Sequence, residues 1–362
     1  MAAGLAGLHS SDPATVYLAA RARVEGFTAE MLADALYERR SVVRMLGMRR
    51  TMFVVPRDVA AVMDSACTQA LLRAERQRLV GWLADQPPAD DVEGWLHDVE
   101  LRTLAALDQL GEATAAELKA EVPELAMKLT VSAASGTQAT AGLSTRVLFL
   151  LATSGRIVRG RPRGSWLSTQ YRWATTARWL GAPLPNIDEL EASAELVQRW
   201  LRAFGPGTFT DIKWWTGWTV GKTRQVLGDV GALQVDLDEG TGYVLPGDEA
   251  EDPEPASPWV ALLPSLDPTV MGWKERDWYL SDHTEALFDR NGNAGPTVWL
   301  DGRIAGGWAQ RSGGEVVFRL LEDVGSDGTR LIDAEAGRLA KWLGDVRIIP
   351  RFRTPLEKEL VG

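Results

Sequence analysis

At 362 residues the chain exceeds what one hydrophobic core usually organises, and its 45% apolar and 24% charged residues are those of a folded globular protein of about two to four domains. A single cysteine, Cys67, excludes a disulfide framework and a thiolate zinc site, and His9, His97 and His283 lie at no ligand spacing, so neither a metal nor a cofactor is expected. The N-terminal MAAGLAGLHSSDP has no basic n-region, and no run reaches the ~18 apolar residues of a membrane span; with the lone thiol, this points to a cytoplasmic protein that makes no membrane contact.

In chain order, Asp12-Pro13 opens a first helix, with Asp12 as N-cap and Pro13 where its missing N–H costs nothing. Thr28 caps a second helix on which Met31, Leu32, Ala35 and Leu36 form one face. A third short helical stretch is expected at SVVRMLGM (41–48), before RTMFVVP (50–56), a β-branched and aromatic strand ended by Pro56.

A second cycle follows. It has an amphipathic helix over 92–110, a capping box at Thr114-Ala-Ala-Glu117, an apolar helix over 144–152 with Ser144 as N-cap, and a hairpin over 155–173. The third cycle is shorter: a helix over 193–204 ended by Gly205 at C′, a helix from Thr210, a turn at 216–219, a helix over 220–227, and a hairpin around 239–242. GDEAEDPEPASP (247–258) reads as a linker. Beyond it, alternating runs at 259–264, 297–310 and 315–322 read as an antiparallel barrel, followed by a helix over 333–343 and the run VRIIPRF.

The fold class is therefore α+β: three tandem winged-helix units followed by a C-terminal antiparallel β-barrel-like domain, with boundaries at 1–86, 87–182, 183–247 and 248–362.

A net charge of −10 argues against a nucleic-acid partner only if spread evenly. Residues 1–175 hold 20 Lys+Arg against 19 Asp+Glu, which leaves 19 against 30 of the totals 39 and 49 for the remainder. The first half can thus present a positive face while the second half restricts orientation. Arg156, Arg159, Arg161, Arg163 and Arg172 lie in a stretch with no acidic residue, as phosphate or groove contacts of a wing would, although a solvated hairpin would look the same. Arg39, Arg40, Arg44, Arg49 and Arg50 form a second basic group, partly neutralised by Glu38. Trp214, Trp215 and Trp218, at helical spacing, read as core rather than base-stacking residues, as do Trp273, Trp278, Trp299 and Trp308.

Six stretches in this order carry a resemblance: GLHSSDP (7–13), VRMLGMRRTMFVVP (43–56), GRIVRGRPRG (155–164), GTFTDIKWWTGW (207–218), LLPSLDPTVMGWKERDWYL (262–280) and LFDRNGNAGPTVWLDGRIAGGWAQR (287–311). The chain resembles the bacterial winged-helix DNA-binding domain-containing proteins, the relatives of the AlkZ and YcaQ DNA glycosylases. The resemblance implies tandem winged helices and a β-barrel around a DNA channel. It implies a metal-free, monofunctional activity on double-stranded DNA that removes bulky N7-alkylated purines or unhooks interstrand crosslinks. The two basic groups give Arg44, Arg49, Arg50, Arg156, Arg159, Arg161, Arg163 and Arg172 as the DNA-binding candidates, in a chain expected to be monomeric.

Two departures stand out. Where glycosylase members carry Gln-x-Gln or Gln-x-Asp, this sequence has His9-Ser10-Ser11. The motif also lies close to Met1, whereas relatives have some tens of residues before it, so the expectation is either a start upstream of Met1 or a missing first helix. The catalytic candidates are His9, Ser11 and Asp12: an imidazole to orient or deprotonate water, a hydroxyl to hold it, a carboxylate to bias the ring. Ser and Asp ahead of Pro13 are also what a helix start selects, and that reading stays open. The alternatives are a non-catalytic DNA-binding or damage-sensing protein and, less in keeping with tandem units that lack two-fold pairing, a transcriptional regulator.

Overall fold

The computed structural model of the chain describes all residues except 87, 133–137, 239 and 249–257, so most of the predicted linker lies outside the described residues. The fold is α+β, and its residues divide into two units, Ala33–Leu196 and the pair of segments Met1–Leu32 and Val197–Gly362.

In the unit Ala33–Leu196, residues 41–48 form no helix. Val42–Leu46 is a strand paired antiparallel with Met52–Pro56, Val43 opposite Val55 and Met45 opposite Phe53. A short apolar run has no periodicity of its own to decide between helix and strand. The adjacent β-branched Val42 and Val43, stiff at χ1, suit the pleat, and Val43 finds Val55 across it. Arg49 and Arg50 close this hairpin in the left-handed region, at φ 52° and 60°.

The helix Arg57–Met63 runs through a wide π-type turn, Asp64–Thr68, into Gln69–Ala84. Val92–Leu110 is capped by Asp91, whose carboxylate accepts the Gly94 N–H. The capping box of Ala115–Glu121 is present as read, with Thr114 Oγ1 and the Glu117 carboxylate each accepting the other's backbone N–H. Leu143–Thr153 starts on Gly142 as N-cap rather than on Ser144. Lys128–Ser132 and Gln138–Gly142 form a strand pair that the sequence reading missed. The predicted basic hairpin is Ile157–Pro162 paired with Tyr171–Thr175. Leu83, Leu96, Val99, Leu107, Leu118 and Val147, all fully covered, form the shared core of these helices.

In the other unit, Phe209–Thr216 and Val220–Asp229 are joined across Gly217, at φ 74°, and the first of them is capped by Thr208 and starts one residue before Thr210. The hairpin Leu233–Leu237 with Gly240–Val244 adds Gly207–Thr208 along its edge. Gly205 follows Glu189–Phe204 without adopting the positive φ of a C′ glycine. A Cβ there would lie 2.4 Å from the Leu201 carbonyl oxygen, so glycine is required by close approach.

Val260–Leu263, Thr297–Leu300, Arg303–Gln310 and Val316–Leu320 form a four-stranded antiparallel sheet in sequence order. Among the described residues its first and last strands do not pair, so it is an open sheet and not a closed barrel. The long helix Gly325–Leu343, eight residues longer at its N-terminal end than expected, packs against both edge strands, and Pro355–Val361 packs on the third. Covering an edge with a helix manages its unpaired groups without closure.

Trp299 and Trp308 are buried beneath this sheet, and Trp215 and Trp218 in the helical part, as the core reading requires. Trp278 is half exposed, with its ring edge-on to Trp273 and Tyr279. The N-terminal helix Pro13–Arg21 is tied to the same unit by Thr15 donating to the Ser265 carbonyl at 2.6 Å. Arg23 adds a two-pronged bond to the buried Asp267 at 2.6 and 2.9 Å.

A Cβ at Gly306 would lie 2.1 Å from the Arg319 carbonyl oxygen on the neighbouring strand. Gly306→Ala is therefore expected to destabilise the unit by about 3 kcal/mol, read as a lower denaturant midpoint. An unchanged midpoint contradicts the close strand approach.

Candidate nucleic-acid interface

The residues of the N-terminal motif serve first to fix the backbone. Asp12, 4% exposed, caps Pro13–Arg21 by accepting the Ala14 N–H at 3.0 Å through Oδ1, and accepts the Arg351 N–H at 2.8 Å through Oδ2. The Arg351 guanidinium returns to the Ser11 carbonyl at 3.2 Å. Burial pushes the Asp12 carboxyl above its usual range, against the pull of these donors. Both oxygens thus bind backbone amides.

His9 is half-buried. Its Nδ1 accepts a long, 3.5 Å bond from the Ser11 N–H, so in the neutral ring Nε2 carries the proton. Ser10 between them is buried. Asp12 also lines a cavity of about 20 Å³ with Ser265, Gln310 and Pro350, room for about one water and too small for a base. Arg351 was missed by sequence reasoning; nothing local in VRIIPRF marks a residue that holds a motif 339 positions away.

The arginines of the other unit fall into two groups. Arg44 is 1% exposed; it donates to the Tyr171 hydroxyl and lies 4.7 Å from that ring's centre, which takes it off the surface where a DNA contact was expected. Arg159 packs over Tyr171 and Trp173, 5.2 Å from each. Arg161 stacks over Tyr37 at 4.7 Å and pairs with Glu38 at 2.5 Å, and Arg172 reaches Glu117 at 3.3 Å and the Glu112 carbonyl at 3.2 Å. The hairpin is acid-free in sequence, but Glu38 and Glu117 from neighbouring elements meet it in space. Arg172 and Arg163 both help hold the Glu117 carboxyl low, after its capping bonds to Thr114.

Arg156 and Arg163 are exposed, as are Arg49 and Arg50 at the tip of the first hairpin, where Arg50 pairs with Glu75. Arg161 is exposed as well. Tyr171, Tyr37 and Trp173 are the aromatic partners that the sequence reading did not link to the arginines.

In fold, the chain is similar to a DNA glycosylase of known structure, AlkZ of Streptomyces sahachiroi. The TM-score is 0.73 at 20% identity, over 96% of this chain and 91% of that one. The model of the family described as DNA glycosylase AlkZ-like matches residues 2–342, and the chain belongs to that family, as its six stretches anticipated. Comparison with curated proteins gives no match. Membership makes the chain DNA glycosylase-like in function and DNA its partner. Among the described residues no helix is long and apolar enough to cross a membrane, and no three His, Cys, Asp or Glu are grouped to hold a metal.

Asp12→Ala removes a helix cap and a tie to Arg351 together, and is expected to cost about 2 kcal/mol of stability, whereas His9→Ala costs well under that. Equal thermal shifts for the two variants contradict the strut.

Proposed function

We propose that the chain is a monofunctional glycosylase that removes bulky N7-alkylated purines from double-stranded DNA, interstrand crosslinks included, working as a monomer with His9-Ser10-Ser11 at the position of the family's Gln-x-Gln or Gln-x-Asp. The observation that carries this reading is the family match over residues 2–342, which includes the motif. The helix-to-hairpin cycles read as three winged helices over 1–86, 87–182 and 183–247, with 248–362 as the C-terminal sheet domain. Arg49, Arg50, Arg156, Arg161 and Arg163 contact phosphates from hairpin tips and edges, and Arg44, Arg159 and Arg172 support them from behind.

The chemistry asks little acid catalysis of the protein. N7-alkylation makes the purine a cation, so the C1′–N9 electron pair returns to the ring as the bond breaks and the base leaves neutral. Water adds its oxygen to C1′ and gives up a proton. With Nδ1 accepting the Ser11 amide, His9 presents Nε2, whose N–H orients that water, and after addition to the electron-poor sugar carbon the proton passes to solvent. Asp12 acts through Arg351 and the helix start: it is a positioning residue for the motif.

A binding-only reading draws on one observation, that both oxygens of the motif's carboxylate accept backbone amides, as a purely structural cap would. Release of 7-methylguanine from a methylated duplex separates the two. The expectation is release by the wild type and a loss of about 100-fold or more in His9→Ala, with DNA affinity retained. Equal release by both proteins removes His9 from the mechanism, and release by neither favours the binding-only reading.

A further inference from the structure

Within the unit Ala33–Leu196 lies a cavity of about 390 Å³ that takes nothing of its wall from the N-terminal motif and one residue, Arg156, from the exposed arginines. Its wall includes Asp64, Gln69, Asp108 and Arg156, with Leu104 and Leu184 as apolar surface. The volume falls within the range of about 300–1,000 Å³ typical of small-molecule sites.

Asp64 is the unusual member. It opens the wide turn Asp64–Thr68 that interrupts two helices, an irregularity that often marks function. It is 7% exposed. Its Oδ2 accepts from Gln69 Nε2 at 2.9 Å, and its covered Oδ1 has no hydrogen-bond partner among the described residues. Gly155, at φ +68°, makes room for it: a Cβ there would lie 3.0 Å from Oδ1. Burial pushes this carboxyl up to about 6, so at neutral pH it is still mostly ionised in a poorly solvated wall. Asp108 adds a second carboxylate, held through Oδ1 by Thr175 Oγ1 at 2.6 Å. Arg156, exposed at the rim, contributes the opposite charge.

A buried carboxylate with an unfilled acceptor calls for a donor, and two carboxylates against one guanidinium favour a cation. Leu104 and Leu184 favour a flat ring over an acyclic amine, which would leave them uncovered. We propose that this cavity binds a flat cationic nitrogen heterocycle through its N–H edge, with the Asp64 carboxylate as acceptor and Asp108 as second anion. An N7-alkylated guanine has this chemistry, a choice of ligand that rests on the function proposed above. The base that carries this charge is the one still attached to its sugar, since the released base is neutral.

The test uses the full chain with 7-methylguanosine and guanosine as probes, followed by titration calorimetry, beside Asp64→Asn and Asp108→Asn. The cationic nucleoside should bind about tenfold or more tightly than guanosine, and Asp64→Asn should abolish the preference. Asp108→Asn should weaken it and, being exposed, keeps the test open if Asp64→Asn fails to fold. Equal affinity for the two nucleosides, or a preference retained in both variants, overturns the proposal. A single-stranded oligonucleotide carrying 7-methylguanine should show the same Asp64 dependence; dependence for the nucleoside alone rules out the DNA-attached base as the ligand. No bond is broken in these titrations, so absent base release with a retained preference counts against the proposed function and not against the cavity.

Discussion

The buried guanidinium of Arg44 is the constraint on which the arginine-rich face depends. A cation at 1% exposure that forms no ion pair among the described residues must be solvated by the protein itself. Here the Tyr171 hydroxyl and ring do so, a contact worth about 2 kcal/mol or more when desolvated. The same ring carries Arg159. The basic hairpin is thus held through Tyr171 by Arg44 of the hairpin Val42–Leu46 and Met52–Pro56, and removing Tyr171 would leave a buried charge uncompensated.

That anchoring explains how one arginine-rich stretch serves two ends. Arg44 and Arg159 spend their charge on aromatic faces, and Arg172 is drawn to Glu117, which fixes the hairpin and leaves Arg156 and Arg163 exposed on a rigid support. The fixed cations behind them still add to the positive potential on this side of the unit, which suits a chain whose overall charge is −10 to a polyanionic partner. In the other unit the logic is similar. Asp12, with its carboxylate on two amides, fixes the segment that carries His9 and Ser11, so the motif's polar residues are divided between support and presentation.

Local chemistry was legible in the sequence. Asp12-Pro13 and the Thr114–Glu117 box each act within one turn of helix, and both are found as read. Where the deciding contact is distant, the sequence reading failed. The strand Val42–Leu46 depends on Val54 and Val55 across a hairpin, and an apolar run gives no periodicity to reveal that. Whether the C-terminal sheet closes depends on what covers its edges, here the helix Gly325–Leu343. The candidate site divides the same way. The basic hairpin was visible as composition, but its carboxylate partners lie 123 and 55 positions away, and Arg351 lies 339 from Asp12. Asp64 carried no signal at all, because its burial and its unfilled oxygen follow from the wide turn and from Gly155.

The division of the arginines into supporting and DNA-facing residues is tested most directly by the salt dependence of duplex-DNA affinity in Arg163→Ala and Arg44→Met. Arg163→Ala should flatten the slope of log affinity against log salt by about 0.9 without altering stability, as loss of one phosphate contact does. Arg44→Met should lower stability and leave the slope unchanged. A slope that falls in Arg44→Met and not in Arg163→Ala would contradict the account.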